Sequence, residues 1–437
     1  MTARYLAVKA LVRQEQNGYA NLVLDAELKK CTPPLDARDT AFAASIFYTA
    51  LERQNTLDFC LSQFSRKPVA KLDAPVRAIL RAGLAQATYL RVPLPAAVNE
   101  SVKLARAFGK TSAAGMVNAI LRRAAAFEPE KAAFASPPER LSVLGNLSPQ
   151  IADLFYAQYG EDAFALAEAF YSRQPTAIRV NTLKTTSEKL TPALTQEKCV
   201  VTPGPLPNCL QVEFPASPAA TRAFAHGFYH VQGVPSQLAA LSLAPRPGER
   251  VLDLCAAPGG KSLTLAEQME NRGELLSCDV VPGRLPLIEK LLARCGVSCG
   301  KTRQMDAGAP DGALCGYDRI LCDVPCSGLG VIGKKPDIRY KTLAGLDELV
   351  ALQARILQNA AGYLAQNGRL VYSTCTVNFS ENEGQVRNFL ERNKNFHVVP
   401  IKFELPGAVQ SKYGASFLPH KTGTDGFFIA VLEHIQK

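Results

Sequence analysis

From residue 248 to the end of the chain, two kinds of apolar pattern alternate, and this alternation restricts the fold more than any other feature of the sequence. Strand-like runs fall at 250–254, 274–280, 319–324, 369–373 and 427–432. Helical patterns lie between them, at 263–269, 284–295, 346–365 and 381–393. Strands joined through helices predict a parallel sheet covered by helices on both faces, an α/β architecture. Sheets of this kind bind ligands beyond the carboxyl ends of their strands, where the strand order reverses. The residues with chemical potential in this chain all fall at such ends.

The first strand, Val251-Leu252-Asp253-Leu254, runs into Cys255-Ala256-Ala257-Pro258-Gly259-Gly260-Lys261 and then a helical pattern. Glycines at such a turn let backbone approach a ligand closely. The dinucleotide fingerprint G-x-G-x-x-G is absent. A phosphate-binding P-loop needs glycine where Cys255 stands, so a nucleotidase reading is disfavoured. A cofactor without phosphates fits better, and S-adenosylmethionine is the expected one. Three acids support it. Asp279 ends the second strand, where a carboxylate accepts from ribose hydroxyls. Asp306 follows a third strand, within reach of an adenine amino group. Asp323 ends the fourth.

Two cysteines also close apolar runs: Cys326 in Asp323-Val324-Pro325-Cys326 and Cys375 in Tyr372-Ser373-Thr374-Cys375. Carbon 5 of cytosine is a poor nucleophile until a thiolate adds to carbon 6 and makes it an enamine carbon. A methyl group can then transfer to carbon 5, after which a base removes the proton there and the thiol leaves. An acid such as Asp323 could provide or hold a proton at ring nitrogen 3. A base in folded RNA must leave its stack to reach such a site. Methylation of an exocyclic amine would call for an aromatic after Pro325, so Cys326 moves the reading to carbon. Cys278 and Cys322, inside strand patterns, read as small buried hydrophobes. The close pairs Cys295/Cys299 and Cys322/Cys326 lack the histidines or second C-x-x-C of a zinc site, and no metal is expected.

The first 140 residues differ from the rest. They carry a net charge of +8 out of +10, and read as helix almost throughout. In 73–90, Asp73 is a candidate cap and Pro75 suits the first turn; Val76, Ile79, Leu80 and Leu84 form one stripe, with Gly83 on the same face. Arg77 and Arg81 share a side, and Arg122-Arg123 close a later helix, which predicts a helical bundle with basic faces for nucleic acid. Residues 127–150, rich in Ala, Pro and charge, read as a linker with short helical pieces; 150–240 read as a small α/β subdomain cut by prolines. The chain has no signal-peptide pattern and no apolar run long enough to span a membrane. Its 12 cysteines suit a reducing cytoplasm.

The segments Cys255 to Lys261, Asp323-Val324-Pro325-Cys326-Ser327-Gly328 and Ser373-Thr374-Cys375 closely resemble those of the RNA 5-methylcytosine methyltransferases. Arg179-Val180-Asn181-Thr182-Leu183-Lys184, Lys335-Pro336-Asp337-Ile338-Arg339 and Asp425-Gly426-Phe427-Phe428 are similar to further segments of that family. Ile79-Leu80-Arg81-Ala82-Gly83, Ala97-Val98-Asn99-Glu100 and 117–123 resemble a NusB-type RNA-binding domain. A NusB-like domain before this catalytic domain is the arrangement of the ribosomal RNA small subunit methyltransferase B family. The resemblance implies an all-α NusB-like bundle at 1–135, a small α/β subdomain at 145–240 and a Rossmann-like methyltransferase domain at 241–437. It implies methylation of a specific cytosine in 16S ribosomal RNA, of the cytosine-967 type. Cys375 would be the nucleophile, Cys326 would assist breakdown of the adduct, and Asp323 would contact the cytosine and the cofactor. Cys255, Ala256, Ala257, Pro258, Gly259, Gly260, Lys261, Asp279, Arg284, Asp306 and Asp323 would hold S-adenosylmethionine. The residues by themselves leave nucleophile and helper open. The substrate is expected as naked RNA or an early small-subunit particle, the protein as a cytoplasmic monomer with no membrane and no obligate protein partner. Three positions depart from the pattern: Val324 for Ala, Gly233 for a common Asp, and Lys334-Lys335-Pro336 for a common Arg-His-Pro run, which bears on the base-pocket rim. The competing expectation is an RNA-binding assembly factor with a relic cofactor fold.

Overall fold

The computed structural model describes residues 2–16, 20–401 and 403–434. They form two compact units: one of 1–168 with 334–343, the other of 169–333 with 344–437.

The first unit is helical. Its elements are α1 (Ala3–Gln14), α2 (Ala20–Lys29), α3 (Ala37–Glu52), α4 (Gln54–Ser62), α5 (Ala74–Thr88), α6 (Leu94–Ala107), α7 (Ala114–Ala124), α8 (Pro137–Leu144), α9 (Pro149–Tyr159) and α10 (Asp162–Ala169). The stripe expected on α5 is buried: Val76, Ile79, Leu80 and Leu84 are each at most 4% exposed. Gly83 lies in the same contact, where a Cβ would stand 2.5 Å from Ser101 Oγ and 2.8 Å from Leu121, so glycine is what lets α6 and α7 close on α5. Two details differ from expectation. Asp73 stands at the cap position of α5 but makes no side-chain cap bond; it pairs with Lys110 at 2.7 Å. Arg77 and Arg81 do not form a basic face. Arg77 pairs with Glu15, and Arg81, 8% exposed, pairs with Glu15 and Asp58 at 2.7 and 2.6 Å. A guanidinium this close to the core needs a carboxylate to offset its desolvation.

Residues 127–150 carry the expected short helical pieces, α8 and the start of α9, and their second half packs against α4 instead of hanging as a linker. Fully buried Asn146 accepts from Thr56 N and donates to Thr56 Oγ1, both at 2.9 Å, and Asn55 Nδ2 donates to Leu147 O at 2.8 Å. Residues 334–343, which include the Lys334-Lys335-Pro336 run, belong to the helical unit. Asp337 accepts from Ala20 N, Tyr340 Oη donates to Leu51 O at 2.7 Å, and Arg339, fully buried, donates to Gly145 O at 3.0 Å while its own carbonyl accepts from Ser148 N. Such a long-range insertion leaves no periodic trace in a local stretch of sequence.

The second unit has two sheets. β1 (Thr176–Val180), β2 (Val200–Pro203), β3 (Cys209–Glu213) and β4 (Tyr229–Val231) pair antiparallel in the order β2-β3-β1-β4, with α11 (Ser187–Gln196) and α12 (Arg222–Ala225) alongside in sequence. After α13 (Val234–Leu243) come β5 (Arg250–Asp253), α14 (Gly260–Gln268), β6 (Glu274–Asp279), α15 (Leu285–Cys295), β7 (Gly300–Gln304), β8 (Tyr317–Asp323), α16 (Leu346–Tyr363), β9 (Leu364–Thr374) and α17 (Glu383–Arg392). The chain ends through β10 (Phe396–Val399), β11 (Val409–Ser411), β12 (Gly414–Phe417), α18 (Pro419–Thr422) and β13 (Phe427–His434).

The large sheet has the order β11-β12-β13-β9-β8-β5-β6-β7, with β10 also on β13. The run from β9 to β7 is parallel, as expected. The C-terminal part is not: β13 inserts antiparallel against β9, and β10, β11 and β12 pair antiparallel as well. No helix crosses over between β12 and β13 at a length that could reverse the direction again, so the last strands meander. Strand order reverses at β5, with β6 and β7 on one side and β8 and β9 on the other, which sets the switch-point crevice above the ends of β5 and β8. Cys278 and Cys322 are both fully buried in their strands.

Candidate active site

A cavity of about 210 Å³ opens in that crevice. Its walls are Val231, Gln232, Gly233 and Ser236 ahead of and in the first turn of α13, the end of β5 with its turn (Asp253, Cys255, Ala256, Ala257, Pro258, Gly260, Lys261), and Asp323 at the end of β8. Gly259 and Arg284 belong to the same loop region. Arg284 donates to Ala257 O at 2.9 Å and sits 3.5 Å from Asp279. Asp279, 4% exposed, accepts from Ala257 N at 3.2 Å and Val281 N at 3.0 Å, so β6 braces the β5 turn through one carboxyl. Asp306 is not among the walls; it is exposed past β7 and accepts from Gly308 N in its own turn.

Charge in the crevice is arranged in pairs. Lys261 Nζ lies 2.6 Å from Asp323 Oδ2, and Ser373 Oγ donates to Asp323 Oδ1 at 2.8 Å. Both carboxyl oxygens of Asp323 therefore act as acceptors. Asp253, fully buried, is different. Burial, reinforced by the charge of Asp323, pushes its carboxyl up to about 7, although Ser262 Oγ donates to it at 2.7 Å. Cys255 is likewise held well above the ordinary thiol range by burial, which makes it wall and not nucleophile.

The two strand-end cysteines meet. Cys326 Sγ and Cys375 Sγ stand 3.3 Å apart, both partly exposed. Cys326 is held well above the usual thiol range, first by its hydrogen bond to Cys375, then by burial, then by the charges around it, Glu381 and Asp323 included. Either sulfur can donate in this contact, so the contact by itself does not distinguish the two thiols.

What holds the two sulfurs together is Glu381, which sequence reasoning missed. Its carboxyl accepts from Ser327 N at 2.8 Å, Ser327 Oγ at 2.6 Å, Asn378 Nδ2 at 3.0 Å and Gln353 Nε2 at 3.0 Å. These donors come from the loop after Cys326, the loop after Cys375 and α16, so one fully buried carboxyl ties all three. In the sequence it reads as an acid opening a helical pattern; an acid six residues beyond a strand-end cysteine was the only available signal. The loop carrying Cys326 is fixed a second time by backbone. Gly330 N donates to Cys375 O at 3.0 Å and Gly426 N to Gly330 O at 2.8 Å, and a Cβ on Gly330 would stand 2.0 Å from Gly426 O. That approach explains the glycine of the Asp425-Gly426-Phe427-Phe428 segment.

A mixed α/β sheet with this crevice, following a helical unit, defines a methyltransferase with an RNA-binding N-terminal domain. Residues 240–433 match the family described as 16S rRNA methyltransferase RsmB/F, residues 1–126 the NusB family, and 151–217 the RsmF/B-like ferredoxin-like domain. A probable ribosomal RNA small subunit methyltransferase B of Synechocystis is 33% identical over 99% of both chains. The solved structure PH0851 aligns with a TM-score of 0.82 at 25% identity, covering 99% of each chain. NSun6 from Pyrococcus horikoshii, solved with SFG, aligns with a TM-score of 0.61 at 26% identity over 66% of this chain and 98% of that one. The chain belongs to the ribosomal RNA small subunit methyltransferase B family, and it is an enzyme that methylates ribosomal RNA.

Proposed function

We propose that the protein transfers a methyl group from S-adenosylmethionine to carbon 5 of one cytosine in 16S ribosomal RNA, in the cytoplasm, through a transient bond between the sulfur of Cys375 and carbon 6 of the base. The observation that carries this reading is the 3.3 Å contact of Cys326 and Cys375 beside Asp323, which itself walls the cavity.

The cavity suits this cofactor by its donors. It offers the glycine-bearing turn after β5 and the carboxyls of Asp253 and Asp323, and Asp279 at the end of β6, bonded to Ala257 N in that turn, would accept from the ribose hydroxyls. The turn from Cys255 to Lys261 would hold its middle, with Arg284 bracing Ala257 and Asp279. Asp306, past β7, would take the adenine end. NSun6 was solved with SFG, an analogue of that cofactor. When bound, the cofactor supplies an electrophilic methyl on a sulfonium.

The chain's own residues do the remainder. The Cys375 thiol gives up its proton as its sulfur bonds to carbon 6, and the electron pair of the carbon 5–carbon 6 double bond moves through carbon 5 toward nitrogen 3, which takes up a proton. Asp323, already an acceptor from Lys261 and Ser373, holds the proton that nitrogen 3 gains. Carbon 5 uses its pair to take the methyl group. A base then removes the carbon 5 proton, the pair left behind restores the double bond, and the carbon–sulfur bond breaks with its electrons on Cys375. Cys326, whose sulfur lies 3.3 Å from that of Cys375, assists that release.

Bisulfite sequencing of 16S ribosomal RNA from cells with and without the gene tests the reading. One protected cytosine present only with the protein is expected. Methylation elsewhere than at carbon 5, or no change in cells whose protein binds the cofactor, contradicts it. A protein that binds no cofactor at all would be the relic assembly factor instead.

A further inference from the structure

The wall of the cavity facing away from Asp279 contains a polar group that the reaction as drawn leaves unused. Gln232 is 5% exposed, yet lines the cavity. Its Oε1 is occupied on the protein side: Thr264 Oγ1 donates to it at 2.9 Å, and His230 Nε2 lies 3.1 Å away. His230 is fully enclosed, with burial pushing it down to about 3, so it is a neutral ring that can donate through Nε2. With Thr264 Oγ1 donating and His230 in the tautomer that carries its proton on Nε2, the amide turns its oxygen to these two groups and its Nε2 away from them. Its Nε2 is left without a partner, and it lies 3.9 Å from where a Cβ of Gly260 would stand, at the start of α14. A buried amide donor without an acceptor costs free energy unless a ligand supplies one.

The position of this donor says which part of a ligand it meets. The ribose and adenine acids belong to β6 and β7, on one side of β5. Neither Asp279 nor Asp306 lines the cavity, whereas Gln232, Gly233 and Lys261 do. The reacting sulfurs lie on the other side, past β8 and β9. A sulfonium nucleoside with its adenosine over β6 and its methyl toward Asp323 has one part remaining, the amino-acid tail. The tail's carboxylate requires N–H donors, and the nearest cation, Lys261, is already engaged by Asp323 at 2.6 Å.

We propose that Gln232 recognises the carboxylate of the cofactor's amino-acid tail, donating through Nε2, with His230 and Thr264 as positioning residues that aim the amide. The inference rests on the cofactor reading above and adds a residue to it. Gly233, at the cap of α13, lines the cavity next to Gln232.

Calorimetric titration of the full-length protein with S-adenosylhomocysteine and with methylthioadenosine, which shares the nucleoside and lacks the tail, tests it. Gln232→Leu is expected to weaken S-adenosylhomocysteine binding on the order of tenfold and to leave methylthioadenosine within about twofold. Gln232→Glu, close in shape, sets a carboxylate against the tail and is expected to weaken it further, again sparing methylthioadenosine; it also covers the case in which the leucine variant fails to fold. Unchanged binding of the tailed ligand by both variants, or equal loss of both ligands, overturns the inference. A wild-type protein that binds methylthioadenosine but gains nothing from the tail overturns it too. If the wild type binds neither ligand, the cofactor reading falls first, and the inference with it.

Discussion

At the residue scale, the proposal divides the work between the two cysteines: Cys375 bonds to the base and Cys326, 3.3 Å away, assists its release. Cys375→Ala is therefore expected to drop methyl transfer to background in an assay with labelled cofactor and 16S ribosomal RNA, with cofactor binding retained. Asp253 offers a separate test through pH. Its folded value near 7 lies above the ordinary 3.8, so the native state binds more protons than the unfolded state between about pH 4 and 7. Stability from this group is present below that window and is lost as pH rises through it. Asp253→Asn is expected to match the wild type near pH 4 and to exceed it at pH 8, by on the order of 2–4 kcal/mol in urea unfolding. A constant difference at both pH values would contradict the assignment.

At the scale of elements, the parallel core from β9 to β7 was legible because buried parallel strands leave apolar runs and their crossover helices leave stripes. The β5 turn, both cysteines and Asp323 were legible because strand ends are where side chains reach a ligand. Three things were not. The strands β10, β11 and β12, three or four residues each, are too short to show a pattern, and the antiparallel placement of β13 depends on tertiary pairing. Arg77 and Arg81 look basic in sequence, since their partners Glu15 and Asp58 lie on other helices. Glu381 is the most consequential omission, because its role exists only once three loops converge. Glu381→Ala takes away the acceptor of Ser327 N and one acceptor each of Asn378 and Gln353, which keep Ser380 and Pro325 O, and is expected to cost about 2–4 kcal/mol in thermal or urea unfolding and to lower kcat. Glu381→Gln keeps the shape and should recover most of the stability. If the alanine variant keeps both full activity and full stability, the tie between the loops is not needed.

At the scale of the whole molecule, the helical unit is not continuous in sequence. Residues 334–343 fill part of it, with Arg339 fully buried and Tyr340 against Leu51. A fragment of 1–168 made alone lacks these groups and leaves Gly145 O and Ser148 N without their Arg339 partners. It is expected to exchange its amide hydrogens faster around 142–152 than the same residues do in the full chain. Equal protection in the two would mean that the inserted segment is dispensable to that unit. Among the described residues no helix is long and apolar enough to cross a membrane.

The central claim is that one sulfur bonds to the base while the other releases it, and the most direct measurement is to catch the bond. Cys326→Ala, incubated with cofactor and unmodified 16S ribosomal RNA and then digested, is expected to yield a peptide carrying a methylated cytidine on Cys375, seen by tandem mass spectrometry and absent when Cys375 is also replaced. A nucleotide attached at any other residue, or full turnover by Cys375→Ala, would contradict the account.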